Sequence, residues 1–294
     1  MSPLISQSAW RHILSGVAIV LCSILMTACS RYSKRPDESG QLTITVSIEP
    51  LRYFVEHIAG PDVKVVSIVP EGYSPETYKP TPKQLMELSN SKLYFEVGDL
   101  GFETTWLGEA ISEQPHLKII DTSDSLRKSQ GGIQLSSFDP HTWTSAAHAR
   151  VIAATICQAL CEADTAHQAT YRHNLTTLLD TIAATEAQIH ALLAHTSHRT
   201  FITVHPALTY FAEEYGLRQL CIERDGKQSS PIDLATLIRQ AREEHVRVIL
   251  VQREFSHAQA ESVSRETGAR IVSINPLGYD WPREMVNIAK ACLQ

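Results

Sequence analysis

The sequence predicts an α/β protein of two lobes, each with a mostly parallel sheet flanked by helices, and one long helix between them. Three observations lead there. Short β-branched runs alternate with helical stretches from residue 42 to about 120, and again from 200 to 293. Between these regions, Ser145 to about Leu193 contains no proline, and its apolar residues recur every three or four positions. Finally, the roughly 265 residues after the leader exceed what one hydrophobic core ordinarily serves.

The leader is excluded from the fold. Arg11 and His12 precede an apolar run, Ile13 to Met26, the length of a signal-peptide core and short for a membrane span. Met26-Thr27-Ala28-Cys29 suits a lipoprotein cleavage site, which makes Cys29 the lipidated first residue of the mature chain; an ordinary secretory signal is the alternative. Residues 1–28 are then the signal peptide and 29–41 a polar tether, followed by an N-terminal lobe (42–165), a linking helix (166–195) and a C-terminal lobe (196–294). A doubly acylated terminus holds a soluble body on a membrane, in the periplasm or cell envelope.

In the first lobe, Leu42–Ile48 alternates as a strand and Leu51–Ala59 has helical spacing. Val63–Val69 is a second strand, ended by Pro70. Thr81 caps a short helix with Pro82 in its first turn. Lys92–Val97 and Leu117–Ile120 complete the strands of this half. Asp164-Thr165 separates two helices, the second spanning about 166–194 and able to serve as a stiff spine of roughly 40 Å. Its seam of Ala169, Leu175, Leu178, Ile182, Ile189 and Leu192 lacks the sustained heptad of a coiled coil. Strands at Thr200–Val204, Leu220-Cys221, Val248–Val251 and Arg270–Ile274 then alternate with helices at Ala207–Tyr215, Ile232–His245, Ser256–Thr267 and Met285–Leu293.

Composition narrows function. Removal of the leader takes one basic residue, Arg11, and moves the net charge from −6 to about −7 with no basic block left, which argues against nucleic acid as a partner. Besides Cys29, Cys157, Cys161, Cys221 and Cys292 remain without a CxxC pair, so core packing is expected of them rather than metal binding.

Several extended segments end in a ligand-capable residue beside proline: Tyr73-Ser-Pro-Glu76, Asp139-Pro-His141, His205-Pro206 and Asn275-Pro276. Ligands of open α/β sheets bind beyond the carboxyl ends of the strands, and proline fixes the backbone there. Glu76, His141, His205 and either Asn275 or Asp280 can therefore converge, two from each lobe. Taken singly each has an ordinary explanation; Asp280, for example, can simply cap the last helix, since Pro282 follows.

Gly72-Tyr-Ser-Pro-Glu-Thr-Tyr-Lys-Pro-Thr-Pro82, Asp139-Pro-His-Thr-Trp143, Val204-His-Pro-Ala207 and Ile274-Asn-Pro-Leu-Gly278 resemble, in order and spacing, the zinc- and manganese-type metal solute-binding lipoproteins of ABC transporters. Gly98-Asp-Leu-Gly-Phe-Glu-Thr-Thr-Trp106 is similar to that family too. The resemblance covers the mature chain and implies two lobes joined by one long rigid helix, a metal ion between them, and a membrane permease that receives it from a monomeric receptor. Two departures stand out. Glu76 occupies a position where the family usually has histidine, and Asn275 one where it often has aspartate. Asn275 is a poor zinc ligand, which leaves Asp280 or a water as the fourth. The stretch Asp121–Phe138 lacks the histidines of the metal-collecting loop many members carry.

Two histidines and carboxylate oxygens suit zinc, and Mn2+ is the alternative because carboxylates favour it. The expected role is capture and delivery of Zn2+, with surface adhesion a compatible addition. A metal-dependent hydrolase is a competing class, but no HExxH or GxSxG motif occurs. A receptor for a bulky metal chelate would need a wide aromatic cleft, and only Tyr73, Trp143 and Tyr279 stand near the candidate ligands.

Overall fold

The computed structural model describes residues 42–108, 111, 114–129, 138–223 and 229–294. Cys29, the leader and the tether lie outside the described residues. In chain order the elements of the first half are β1 (Leu42–Val46), α1 (Glu49–Ala59), β2 (Val63–Ser67), α2 (Pro82–Ser89), β3 (Leu93–Glu96), β4 (Lys118–Asp121) and α3 (Asp124–Ser129). Two long helices follow, α4 (Ala146–Ala163) and α5 (Gln168–Leu193). The second half contains β5 (Thr200–Thr203), α6 (Thr209–Glu214), β6 (Arg218–Cys221), α7 (Pro231–Glu243), β7 (Val248–Gln252), α8 (Ala258–Thr267), β8 (Arg270–Ile274) and α9 (Trp281–Cys292).

Every strand pairing is parallel, giving one sheet in the order β2-β1-β3-β4 and another in the order β6-β5-β7-β8. Each half therefore places its second strand outside its first and then crosses back, so the topology repeats although the sequence does not. In such a sheet the carboxyl ends of the two central strands border a crevice. Those strands are β5 and β7 in the second lobe, and the site is built there.

Local sequence explains the element ends. Thr81 accepts from Gln84 N–H while the Gln84 side chain reaches back to the Thr81 N–H, a complete capping box for α2. Ser230 caps α7. The last helix begins at Trp281, ahead of the Met285 start the periodicity suggests, because Asp280 accepts from Arg283 N–H and Pro282 occupies the first turn.

The spine, α5, has 26 residues, about 39 Å at 1.5 Å per residue. It buries Tyr171, Leu178, Ile182, Thr185, Ile189 and Leu193 against α1, α4 and α9. Ala169, expected on the seam, is exposed; Tyr171 takes the buried place, with its hydroxyl donating to Asp164 at 2.8 Å. One hydrophobic core runs from the first sheet through α4 and α5 to Phe201, Phe211 and Trp281 of the second lobe, while a smaller core fills the far face of the second sheet.

The lobes are also tied at the site itself. Trp143 Nε1 donates to Pro276 O at 2.8 Å, and Trp281 Nε1 donates to Trp143 O at 2.7 Å. Tyr279 OH donates to Glu56 at 2.6 Å. Glu214 of α6 accepts from Ala146 and Ala147 N–H, capping α4 from the opposite lobe. Cys157, Cys161, Cys221 and Cys292 are free thiols, and burial pushes Cys157 up to about 11 and Cys221 and Cys292 up to about 12, as expected for packing residues.

Candidate metal centre

Glu76 lies on the long loop after β2. The Phe102 N–H donates to Pro75 O at 3.0 Å and holds that loop against the segment following β3. Gly101 permits the approach: a Cβ there would sit 2.5 Å from Glu76 O. His141 immediately precedes a 3-10 turn, Thr142–Thr144, which Trp143 anchors in the core. His205 follows β5 by two residues, and its carbonyl accepts from the buried Gln252 side chain at 2.9 Å. Three distant parts of the chain are thus each fixed by backbone contacts before their side chains meet.

These side chains form the group of metal-capable residues found among the described residues, with ligand atoms all within 4.8 Å of one another. His141 Nε2 is 3.2 Å from His205 Nε2 and 4.0 Å from Glu76 Oε1. Both imidazoles are buried. On the far side of each ring a carboxylate accepts the other nitrogen: His141 Nδ1 lies 2.7 Å from Asp139 Oδ1, and His205 Nδ1 lies 2.9 Å from Glu223 Oε2.

That pairing decides the chemistry. A carboxylate accepts, so each Nδ1 carries the proton and each neutral ring turns its Nε2 lone pair inward. Two lone pairs 3.2 Å apart repel unless a proton or a cation lies between them. Burial, and then the neighbouring His141, hold the His205 pKa below the usual histidine value, while Glu223 draws it part of the way back. Asp139 stays below the usual carboxylate range: burial opposes its charge, but hydrogen bonds from His141 outweigh that. Glu76 Oε1 is buried with no hydrogen-bond partner. Two nitrogens and one oxygen therefore converge with lone pairs uncommitted, an arrangement suited to a divalent cation.

The donors face a cavity of about 10 Å3, which is room for one ion or water. Its apolar walls include Pro75, Trp143, Ala207, Phe255 and Leu277, with Phe255 stacked on His205 at 5.0 Å between ring centroids. Such a space excludes a bulky chelate.

The structure does not bring the two candidates for a fourth ligand into this group. Asp280 accepts from Arg283 N–H as the cap of α9, and its carboxylate lies 3.5 Å from the Arg283 guanidinium. Asn275 is buried, but its amide donates to Glu71 at 2.6 Å, closing one lobe on the other. The cap that was the ordinary explanation for Asp280 is its observed place.

Three carboxylates beside the donors have roles that the sequence did not assign, although Asp139 stands within one of its motifs. Asp139 and Glu223 orient the rings, and Glu254 lines the cavity, where burial pushes it up to about 7. A neighbouring proline marks Glu76, His141 and His205 but not Glu223 or Glu254. These last two sit just beyond β6 and β7 with no proline beside them, and position past a strand end was the signal available.

Comparison with known proteins gives this geometry a context. The family described as zinc-uptake complex component A, periplasmic, matches residues 44–287. The chain belongs to this family of metal solute-binding proteins of ABC transporters. It superposes on a ZnuA deletion mutant with zinc bound at a TM-score of 0.78, with 33% identity, covering 86% of this chain and 99% of that one. A Chlamydia trachomatis serovar D protein described as metal-binding is 28% identical over 86% of this chain and 91% of its own length. The iron-binding protein YfeA of Yersinia pestis is 25% identical over 86% of this chain and 82% of its own. Members are extracytoplasmic solute-binding receptors that work with transporter permeases and are not enzymes, which removes the hydrolase reading. No described helix is long and apolar enough to cross a membrane.

Proposed function

We propose that this chain captures Zn2+ between its lobes through Glu76, His141 and His205 and delivers it to an ABC transporter permease, held at the membrane by a lipid on Cys29. One observation carries the reading: Asp139 and Glu223 fix both imidazoles with Nε2 inward, facing an unpartnered Glu76 oxygen across a cavity for a single ion. The zinc-bound relative supports the choice of metal, and so does the intrinsic order of affinities, which puts Zn2+ well above Mn2+ for nitrogen-containing sites.

Capture needs neutral histidines and an ionised Glu76, so the ion displaces protons and the last waters. The shared core and the bonds of Trp143 to Pro276 and Trp281 leave little freedom for the lobes to swing apart. Release then requires the permease to disturb the loops that carry the ligands. A manganese- or iron-selective receptor is the second reading, favoured by the carboxylate content of the site and by the iron-binding relative.

Elemental analysis of protein purified without added metal, followed by competition between Zn2+ and Mn2+, separates the two. Zinc bound as isolated and not displaced by excess Mn2+ is the expected result; tight Mn2+ with weak Zn2+ would overturn it.

A further inference from the structure

Glu76, His141 and His205 supply three ligands, one fewer than the four that zinc usually takes. The candidates from the final loop do not supply the fourth where they stand, because Asp280 caps α9 and Asn275 is bound to Glu71.

A carboxylate is nevertheless present on the remaining side. Glu254 lies two residues past the carboxyl end of β7, at the crevice where β5 and β7 adjoin. The backbone that carries it is well fixed relative to His205. β7 is buried throughout, its last residue Gln252 donates to His205 O, and the next residue after Glu254, Phe255, stacks on the His205 ring. Glu254 lines the same cavity as the three donors. It is half-buried, and the charges of His141 and Arg253 bear on it. Arg253 itself is exposed and faces Glu71 at 3.6 Å. Glu254 is thus a carboxylate partly withdrawn from water whose natural counter-ion would be a cation in the cavity.

We propose that Glu254 is the fourth protein ligand of the captured metal, turning onto the ion from the loop after β7. This rests on the assignment of Glu76, His141 and His205 made above. The donor group whose atoms already lie within 4.8 Å of one another excludes Glu254, so side-chain rotation accompanies binding. Two neutral imidazoles and two carboxylates then make up a four-ligand shell, each lobe supplying one histidine and one glutamate. The oxygen share of that shell also lets the site accept harder ions than a histidine-rich site would.

The test compares wild type, Glu254→Gln and His141→Ala by competition titration with Zn2+ and by the visible spectrum of the Co2+-loaded protein, which reports the ligand set directly. Glu254→Gln keeps shape and removes the charge. The expected result is at least a tenfold loss of Zn2+ affinity together with changed positions or intensities of the Co2+ bands, while thermal unfolding of the metal-free protein is unchanged. Affinity within twofold of wild type would overturn the proposal. So would a loss of affinity with an unaltered Co2+ spectrum, since a carboxylate acting only through its field leaves the ligand set intact. His141→Ala separates the two levels of inference: if it abolishes binding while Glu254→Gln does not, the site stands and Glu254 is not a ligand. If His141→Ala binds like wild type, the site assignment fails, and this proposal with it.

Discussion

Replacing Glu223 by glutamine tests whether the outer carboxylates tune the imidazoles or merely fill space. Glu223 Oε2 accepts from His205 Nδ1 at 2.9 Å, and its side chain is 17% exposed, so its charge is only partly screened. Glutamine preserves an acceptor oxygen, and the ring, also held by Phe255, keeps its orientation. What disappears is the negative charge that makes Nε2 a better donor. Loss of such a partner lowers metal affinity by roughly 10–100-fold, about 1.4–2.7 kcal/mol. Glu223→Gln belongs near the lower figure because the hydrogen bond survives, and Glu223→Ala near the upper.

The pH dependence gives a second, opposite signature. Burial and His141 already depress the His205 pKa, and Glu223 is what raises it again. Removing that charge lowers the pKa further, so protons compete with the metal only at lower pH. The variant should therefore bind more weakly at pH 7.5 while its contribution from His205 protonation shifts to more acidic pH. Competition titrations with a zinc-chelating dye from pH 8 to 5 measure both. Affinity within twofold of wild type at pH 7.5, or an onset moved toward neutral pH, would refute the reasoning.

Binding should also appear as stability. Zinc at 100 times its dissociation constant adds about 2.7 kcal/mol to the folded state, which for a body of this size raises Tm by roughly 5–10 °C and is reversed by a chelator. Calorimetry that finds no shift with saturating zinc would contradict a native-state site. In the spine, Ile182 is fully buried between the lobes' shared helices, so Ile182→Ala should cost about 2–5 kcal/mol by transfer and cavity terms together. A loss below about 1 kcal/mol in denaturant unfolding would mean that the core at that point collapses around the gap.

The elements of the fold were legible because they depend on short-range pattern. Leu42–Val46 alternates, Thr81 caps a helix with Pro82 in its first turn, and the proline-free stretch that yields α5 cannot easily be anything but helix. His141, His205 and Glu76 were legible for a related reason: each stands beside a proline as the chain leaves an extended segment. The limits of that signal are equally physical. Tyr171 displaces Ala169 from the buried seam with its hydroxyl bonded to Asp164, and the last helix starts early because Asp280 caps it.

By itself, then, the sequence determined the lobe–helix–lobe order, the strands and caps, and the three residues with lone pairs to offer. Tertiary structure decided that the His205 Nε2 faces inward, since that depends on Glu223 reaching the opposite nitrogen, whereas Asp139 orients His141 from two residues away. It decided that Asp280 and Asn275 are engaged elsewhere, and that Glu254 borders the cavity with no proline to mark it. Local propensity acts over a few residues. The tautomer of His205 and the meeting of the donors are set by groups far apart in the chain, Glu223 lying 18 positions from His205, which sequence spacing does not encode.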